Sequence, residues 1–483
     1  MKHRRYAICI FMLCFFFVNS LPVRANSAAT FWRGTSSTGV ISGDRDCPIE
    51  VESEILRLQI PEFPHSYYET ADAFLSYSAY VEATYSLYNP TDYEVTFRLF
   101  FPFGTSPSYY ISSSREPEEI SYAYDTDKFT VTVNGENIEK SIRHSLVHPY
   151  DSFDLDTDLP RLHDGFVQDP FYTPDLPVTQ YTFAIHDVDT KTYSAATVAW
   201  DLPSDQGSTK IYWPDISGLQ TRDDGSVRVS GWADSSDSLI IYAIGTPLES
   251  LPAWKFYKNG GVDDREEISG SAVLQTSQTM TFQEFALKGW SNETGVSQTD
   301  WYNAVVEELR EDALETQSSL VFLNRYAQAF SDCLMRWYDY TITIPAGETV
   351  TNTVTAPLYP SIQTDYEPPV YEYTYLLSPA RTWADFHALQ ILIETPFALI
   401  ESSLEGFEKE GTGYRLSLDS LPDTELTLTL SSSEDPSPIH PVSSGYGSYL
   451  LTGIFAAVIL FALLLFLFIR IRRSRRPGKK GQS

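Results

Sequence analysis

The sequence predicts a mainly β protein: tandem antiparallel β-sandwich-like domains with a helical insertion and one C-terminal transmembrane helix. Three observations carry that prediction. Short runs of alternating apolar and polar residues, separated by Pro, Gly, Asn and Asp, recur through residues 80–430. Residues 300–337 break the pattern, with no Pro or Gly and with apolar residues at spacings of three and four. Residues 450–469 form a run of twenty uncharged residues rich in Leu, Ile, Phe and Ala, followed at once by cations.

The first element is a signal peptide over residues 1–25. Lys2, Arg4 and Arg5 form its charged start, Ile8 to Val18 its apolar run, and Val23-Arg24-Ala25 a cleavage site before Asn26. An uncleaved anchor is the alternative, but the apolar run is short for a span. Cleavage removes Cys9 and Cys14 and leaves Cys47 and Cys333. In an oxidising compartment these two either form one disulfide or stay as two unpaired thiols.

The following residues divide into an N-terminal β domain (26–150), a second β region with long loops (151–296), the helical insertion (297–338) and a C-terminal β region (339–430). In the first, Val81, Ala83, Tyr85 and Leu87 alternate with polar residues, and the alternation resumes at Val95, Phe97, Leu99 and Phe101. The Asn89-Pro90-Thr91-Asp92 turn between them predicts a β-hairpin with one wet face. Lys128 to Ile138 predicts a second hairpin about Asn134-Gly135. Tyr181–Ile185, Ser194–Trp200, Lys210–Trp213, Ser226–Gly231 and Ser238–Ile244 are strands of the second region. Asp339–Ile344, Thr349–Ala356, Val370–Leu377, Leu389–Glu394, Tyr414–Leu418 and Glu425–Leu430 belong to the last.

The insertion reads as one long bent helix or a helical hairpin, capped by Thr299 or Asp300. Leu320, Leu323, Ala327, Phe330, Leu334 and Trp337 form its apolar stripe. A short helical turn is expected over Ser378 to Phe386, where Ser precedes Pro and where Trp383 and Phe386 share a face. A Ser/Pro/Gly stalk (431–448) then leads to the transmembrane helix (449–470), whose apolar span runs from Leu450 to Ile469, and to a basic tail (471–483). At ~1.5 Å per residue the span covers about 30 Å, the thickness of a bilayer's hydrocarbon core. Arg470, Arg472, Arg473, Arg475, Arg476, Lys479 and Lys480 anchor the cytoplasmic end, so the lipid bilayer is the first partner and the ectodomain faces out.

The chain holds 34 Lys and Arg against 64 Asp and Glu, and eleven of the cations lie in the two ends. The ectodomain therefore keeps 23 cations against 64 acids, about −41, which disfavours nucleic acid and anionic lipid as partners. No catalytic motif is present: no G-x-S-x-G, H-E-x-x-H, S-x-x-K or phosphate loop. No cofactor is implied. Asp151, Asp154, Asp156 and Asp158 alternate as at the front of a calcium loop, but Leu159 and Gly165 stand where that loop needs Gly and Glu, so a solvated acidic loop is favoured. His144 and His148 have ligand-like spacing, yet Pro149 stops a helix there. Leu421-Pro422-Asp423-Thr424-Glu425 is similar to a sorting signal but stands too far from the span, and is read as a turn into a strand.

The segments CPIEVESEILRLQIPEF, VEATYSLYNPTDYEVTFRLFFPFG and YTYLLSPARTWADFHALQILIETP together resemble a group of uncharacterised membrane-anchored surface proteins of Gram-positive bacteria. The resemblance implies the same topology and brings no catalytic residues. The expectation is a single-pass cell-surface protein with a non-enzymatic binding, adhesion or envelope-organising ectodomain, whose partner is a surface protein or a glycan. The alternative is a membrane-anchored extracellular hydrolase with a site assembled from dispersed acids or His.

Overall fold

Alternating strands bury one face each, so they need a second layer to cover it. The computed structural model describes residues 37–43, 46–64, 79–105, 129–146, 154–189, 195–202, 209–222, 226–233, 238–316, 320–323, 330–331 and 334–439. Its main strands are β1 (Glu50–Gln59), β2 (Ala79–Tyr88), β3 (Val95–Pro102), β4 (Ser141–Leu146), β5 (Pro177–His186), β6 (Ala196–Leu202), β7 (Lys210–Tyr212), β8 (Val227–Trp232) and β9 (Ser238–Ile244). They continue with β10 (Lys255–Lys258), β11 (Ser271–Thr281), β12 (Leu334–Ile344), β13 (Thr349–Leu358), β14 (Val370–Leu376), β15 (Leu389–Glu394), β16 (Gly413–Leu418) and β17 (Leu426–Ser431). The α-helices are α1 (Leu155–Asp158), α2 (Phe282–Ala286) and α3 (Gln298–Thr316).

The two β regions at the ends of the chain form one sandwich. Its large sheet runs Glu408–Glu410, β16, β15, β1, β2, β13, Val131–Val133, Glu136–Asn137. Two smaller sheets complete it: Ile41–Ser42, β3, β12, β4, and Ser37–Thr38, β14, β17, Ala398–Ser402. Leu56, Leu87, Phe101, Tyr373 and Leu428 belong to its common core. Burying each such side chain is worth about 1.5–3 kcal/mol. The chain leaves this sandwich at Leu146 and re-enters it at Leu334, and those two residues are register partners in β4 and β12.

What lies between is a second sandwich. One sheet runs β11, β5, β9, β7, Leu320–Val321, and the other Ile216–Thr221, β8, β6, β10, Glu267–Ile268. Phe183, Val198, Trp213 and Ile241 belong to the core between them. A further core, with Tyr212, Tyr242, Phe285, Trp301 and Phe330, joins β7 and β9 to α2 and α3. Leu146 and Leu334 share that core, so α3 sits at the junction of the two sandwiches.

The architecture is thus nested rather than tandem. The reason is long-range pairing: β1 runs parallel to β15 (Leu56↔Ile391) and β2 antiparallel to β13 (Ala83↔Val354). Four further expectations are corrected. The strands of 80–101 exist, but β2 and β3 pair in different sheets, so the intervening turn is a corner and not a hairpin. The Asn89 amide is buried there and donates to the carbonyls of Tyr93, Ile344 and Pro345, which pins the crossing. Among its described residues the helical insertion is helical at Gln298–Thr316 and at Phe330 and Ser331, whereas Leu320–Val321 and Leu334–Ile344 are strands, because β-sheet pairing with β7, β3 and β4 claims residues whose spacing also fits a helix. Ser297 accepts from the Asp300 amide, which puts Asp300 inside the first turn rather than at the cap. The stalk begins inside the fold, since Ser437–Pro438 pair with Tyr366–Glu367.

Two local expectations hold. Asn134 and Gly135 take φ of 51° and 82° between two paired strands, the conformation a two-residue hairpin turn requires. Ser378–Thr382 is a helical turn, after which Trp383 packs edge-on to Phe97 and donates to the Val40 carbonyl. Among the described residues no helix is long and apolar enough to cross a membrane; residues 1–36 and 440–483, with the signal, the span and the basic tail, lie outside them.

Candidate functional site

The acidic run does not assemble a metal site among its described members. Asp154 caps α1 by accepting from the Thr157 amide at 2.9 Å, and its own amide donates to Asp158 at 2.9 Å. Asp158 is buried and lies 3.8 Å from Arg161, while Asp151 lies outside the described residues. Among the described residues no group of three or more His, Cys, Asp or Glu is placed to hold a metal ion. Cys47 is buried in the outer core, and Cys333 lies outside the described residues, as does His148. The run 421–425 leads into β17, with Glu425 accepting from the amides of Leu377 and Ser378.

Three polar clusters surround buried charged side chains, one at the junction of the two sandwiches, one in the inserted sandwich and one in the outer core. At the junction, Arg143 of β4 donates to Asp300 of α3 at 2.9 Å and to the His163 carbonyl at 2.7 Å. Asp300 also accepts from the His144 amide. Asp339 of β12 accepts from Arg98 at 2.7 Å and from Arg143 at 3.3 Å, and Asp164 binds both arginines. The hydrogen bond from Arg98 holds the exposed Asp164 carboxyl below its ordinary range. On the second sandwich, Arg228 is buried between Asp201 (2.6 and 2.8 Å) and Asp264 (2.7 Å), over the ring of Tyr257. Each of these guanidinium groups has carboxylate partners, the condition under which a buried charge is tolerated.

The third cluster is in the outer core. Glu54 of β1 occupies an inward position and accepts from the Tyr85 hydroxyl at 2.9 Å and the Tyr375 hydroxyl at 3.5 Å. Tyr85 in turn accepts from the Val40 amide at 3.1 Å. The other Glu54 oxygen, Oε2, has no hydrogen-bond partner, and burial pushes the carboxyl up to about 7 despite the two phenols. His144 is also buried, and burial together with Arg336 and Arg143 pushes its imidazole down to about 3, so it stays neutral. Glu54 was missed from the sequence. The signal was there: a Glu two residues before Leu56, in step with the inward residues of a strand.

The surface offers a different kind of site. Most sheet edges are blunted, as edges are in soluble proteins. Ser37–Thr38, Ile41–Ser42, Glu136–Asn137, Glu267–Ile268 and Leu320–Val321 are two residues long, Glu408–Glu410 is charged throughout, and β4 is flanked by α3. Ile216–Thr221 and Ala398–Ser402 are bulged, the latter at Ile400. The edge strand β11 is eleven residues long and contains no Asp, Glu, Lys, Arg, Pro or Gly. It pairs with β5 on one side, and no described strand pairs with its other side. A bulge between Leu274 and Thr276 swaps the faces its residues address, so Leu274 packs on the core between the sheets and Met280 on the helical side. Gln275, Thr276, Ser277, Gln278 and Thr279 between them are all exposed. The sequence reading missed this strand because its centre lacks apolar alternation; the usable signal was an eleven-residue Thr- and Val-bearing run without a charge or a breaker.

No family model matches this chain, and no curated protein matches it. A solved structure from Legionella pneumophila, described as a candidate nutrient binding protein, is similar at a TM-score of 0.32 and 11% identity, over 83% of this chain and 72% of its own. A likeness of that size carries no argument about fold or function.

Proposed function

We propose that the chain is a non-enzymatic, single-pass cell-surface protein whose inserted sandwich takes up an extended polypeptide by strand addition to β11. The single observation that carries this reading is the uncharged, eleven-residue open edge, the longest edge strand among the described residues, where the others have six residues or fewer. Strand addition draws its affinity from main-chain hydrogen bonds and its specificity from alternate side chains. Exposed Thr, Ser and Gln make the edge soluble without closing it to a backbone partner. The junction cluster of Arg143, Asp300 and Asp339 supports the same role, because it ties the binding sandwich to the one that enters the stalk and the 450–469 span.

The test is selection of extended peptides, from a random twelve-residue library, on the immobilised full chain. Binders are expected to lose affinity at least ~10-fold when Thr276→Asp and Gln278→Asp are combined, since carboxylates on the acceptor strand oppose an incoming backbone. Binders that ignore these substitutions, or a library that yields none, would refute the reading.

A further inference from the structure

We propose that the strand taken up by β11 is β11 of a second copy of this chain, antiparallel about a twofold axis through Ser277. The inference rests on β11 being the binding edge, as proposed above, and names its partner. The first support is the strand's self-complementarity. With Ser277 opposite Ser277 of the second copy, Thr276 faces its Gln278 on either side, so a hydroxyl meets an amide at both flanking positions before the bulge at Gln275 breaks the register. Each of those pairs is repeated by the twofold, as an isologous contact demands. The five central residues are all exposed, and none has a charge that its own image would oppose.

The second support is electrostatic. The ectodomain carries about −41, with 23 cations against 64 acids, so two copies repel wherever acidic surfaces approach. An edge of eleven uncharged residues is a place where two such bodies can join backbones without setting carboxylate against carboxylate. This predicts a salt dependence of definite sign. Raising ionic strength from about 0.01 to 0.15 M shortens the screening length from ~30 to ~8 Å. Self-association then tightens, whereas capture of a basic partner weakens.

The experiment uses the full chain in detergent, with the Ser277→Glu variant as the reference for association through any other part of the molecule. Sedimentation should show a dimer that strengthens with salt and that Ser277→Glu weakens at least ~10-fold. Mixing Ser277→Glu with Ser277→Lys should restore it. Register is read by cross-linking: directly opposed Cβ atoms lie ~4.5–5.5 Å apart, near disulfide reach. Ser277→Cys should therefore link to itself under mild oxidation. Thr276→Cys should not link to itself but should link to Gln278→Cys.

A monomer at all salt concentrations, or a dimer indifferent to Ser277→Glu, overturns the inference. If library peptides still bind β11 in that case, strand addition stands and only the identity of the partner is wrong. If neither peptides nor a second copy engages the edge, the functional reading fails with it.

Discussion

Replacing Glu54 by Gln should change how the outer sandwich responds to pH rather than simply weaken it. Burial raises this carboxyl from 4.5 to about 7, so between those values the folded chain holds a proton that the unfolded chain has released. The folded state then binds more protons, and stability falls as pH rises from about 4.5 before levelling off above about 7. Each factor of ten in proton affinity is worth 1.36 kcal/mol, so the fall amounts to ~3 kcal/mol. Gln keeps an acceptor for the Tyr85 hydroxyl but does not ionise. Its amide nitrogen sits where Oε2 already lacks a partner, a penalty of about 1–3 kcal/mol. The wild type should accordingly be the more stable at pH 5, and its advantage should shrink or reverse by pH 8. Urea unfolding of both chains by tryptophan fluorescence, from pH 5 to 8.5, measures the two slopes. Parallel pH profiles would refute the reasoning, because they would mean that Glu54 ionises in the folded chain as readily as in the unfolded one.

Three other outcomes are expected. Asp300→Ala leaves Arg143 short of its nearest carboxylate and should destabilise the junction by ~3–5 kcal/mol, read as earlier proteolysis between residues 147 and 333. Gly413→Ala places a Cβ 2.0 Å from the Ile393 carbonyl oxygen, so β16 must shift off β15, and the outer sandwich should unfold at markedly lower urea while the inserted one is unaffected. Asp201 is held below its ordinary range by the hydrogen bond from Arg228, and Asp264 likewise by Arg228, Arg222 and Tyr257. Their contribution is present above the ordinary carboxylate pKa and is lost as pH falls below it, so Arg228→Met should flatten the acid limb of the inserted sandwich's unfolding curve.

Strand identity was legible wherever alternation was strong. Ser238–Ile244 and Leu389–Glu394 are legible to the residue, and the Asn134-Gly135 turn is legible from the residue pair that tolerates the two left-handed positions it occupies. Pairing was not legible, because local pattern says which face of a strand is buried and nothing about its neighbour. Asn89-Pro90 reads as a hairpin turn on its own, and only the carbonyls of Ile344 and Pro345, some 255 residues away, turn it into a corner. The apolar spacing misled at Leu320, Leu334 and Trp337 for a related reason: residues three and four apart on a helix also fall on buried positions when both faces of a strand are covered, as in β12, whereas Phe330 is helical as its spacing suggests. Neither Glu54 nor β11 was flagged. Glu54 looks like one acid among 64, and β11 looks like a polar loop until its partner β5 is known.

Hydrogen exchange along Ser271–Thr281 shows whether β11 is an edge open to a backbone partner. In the full chain at low concentration, amides of Gln275–Thr279 that do not face β5 should exchange rapidly. They should become protected when the strand is engaged, by a selected peptide or by raised protein concentration, while the amides already bonded to β5 change little. Slow exchange at every β11 amide in the isolated chain, or protection that arises elsewhere on binding, would contradict the account.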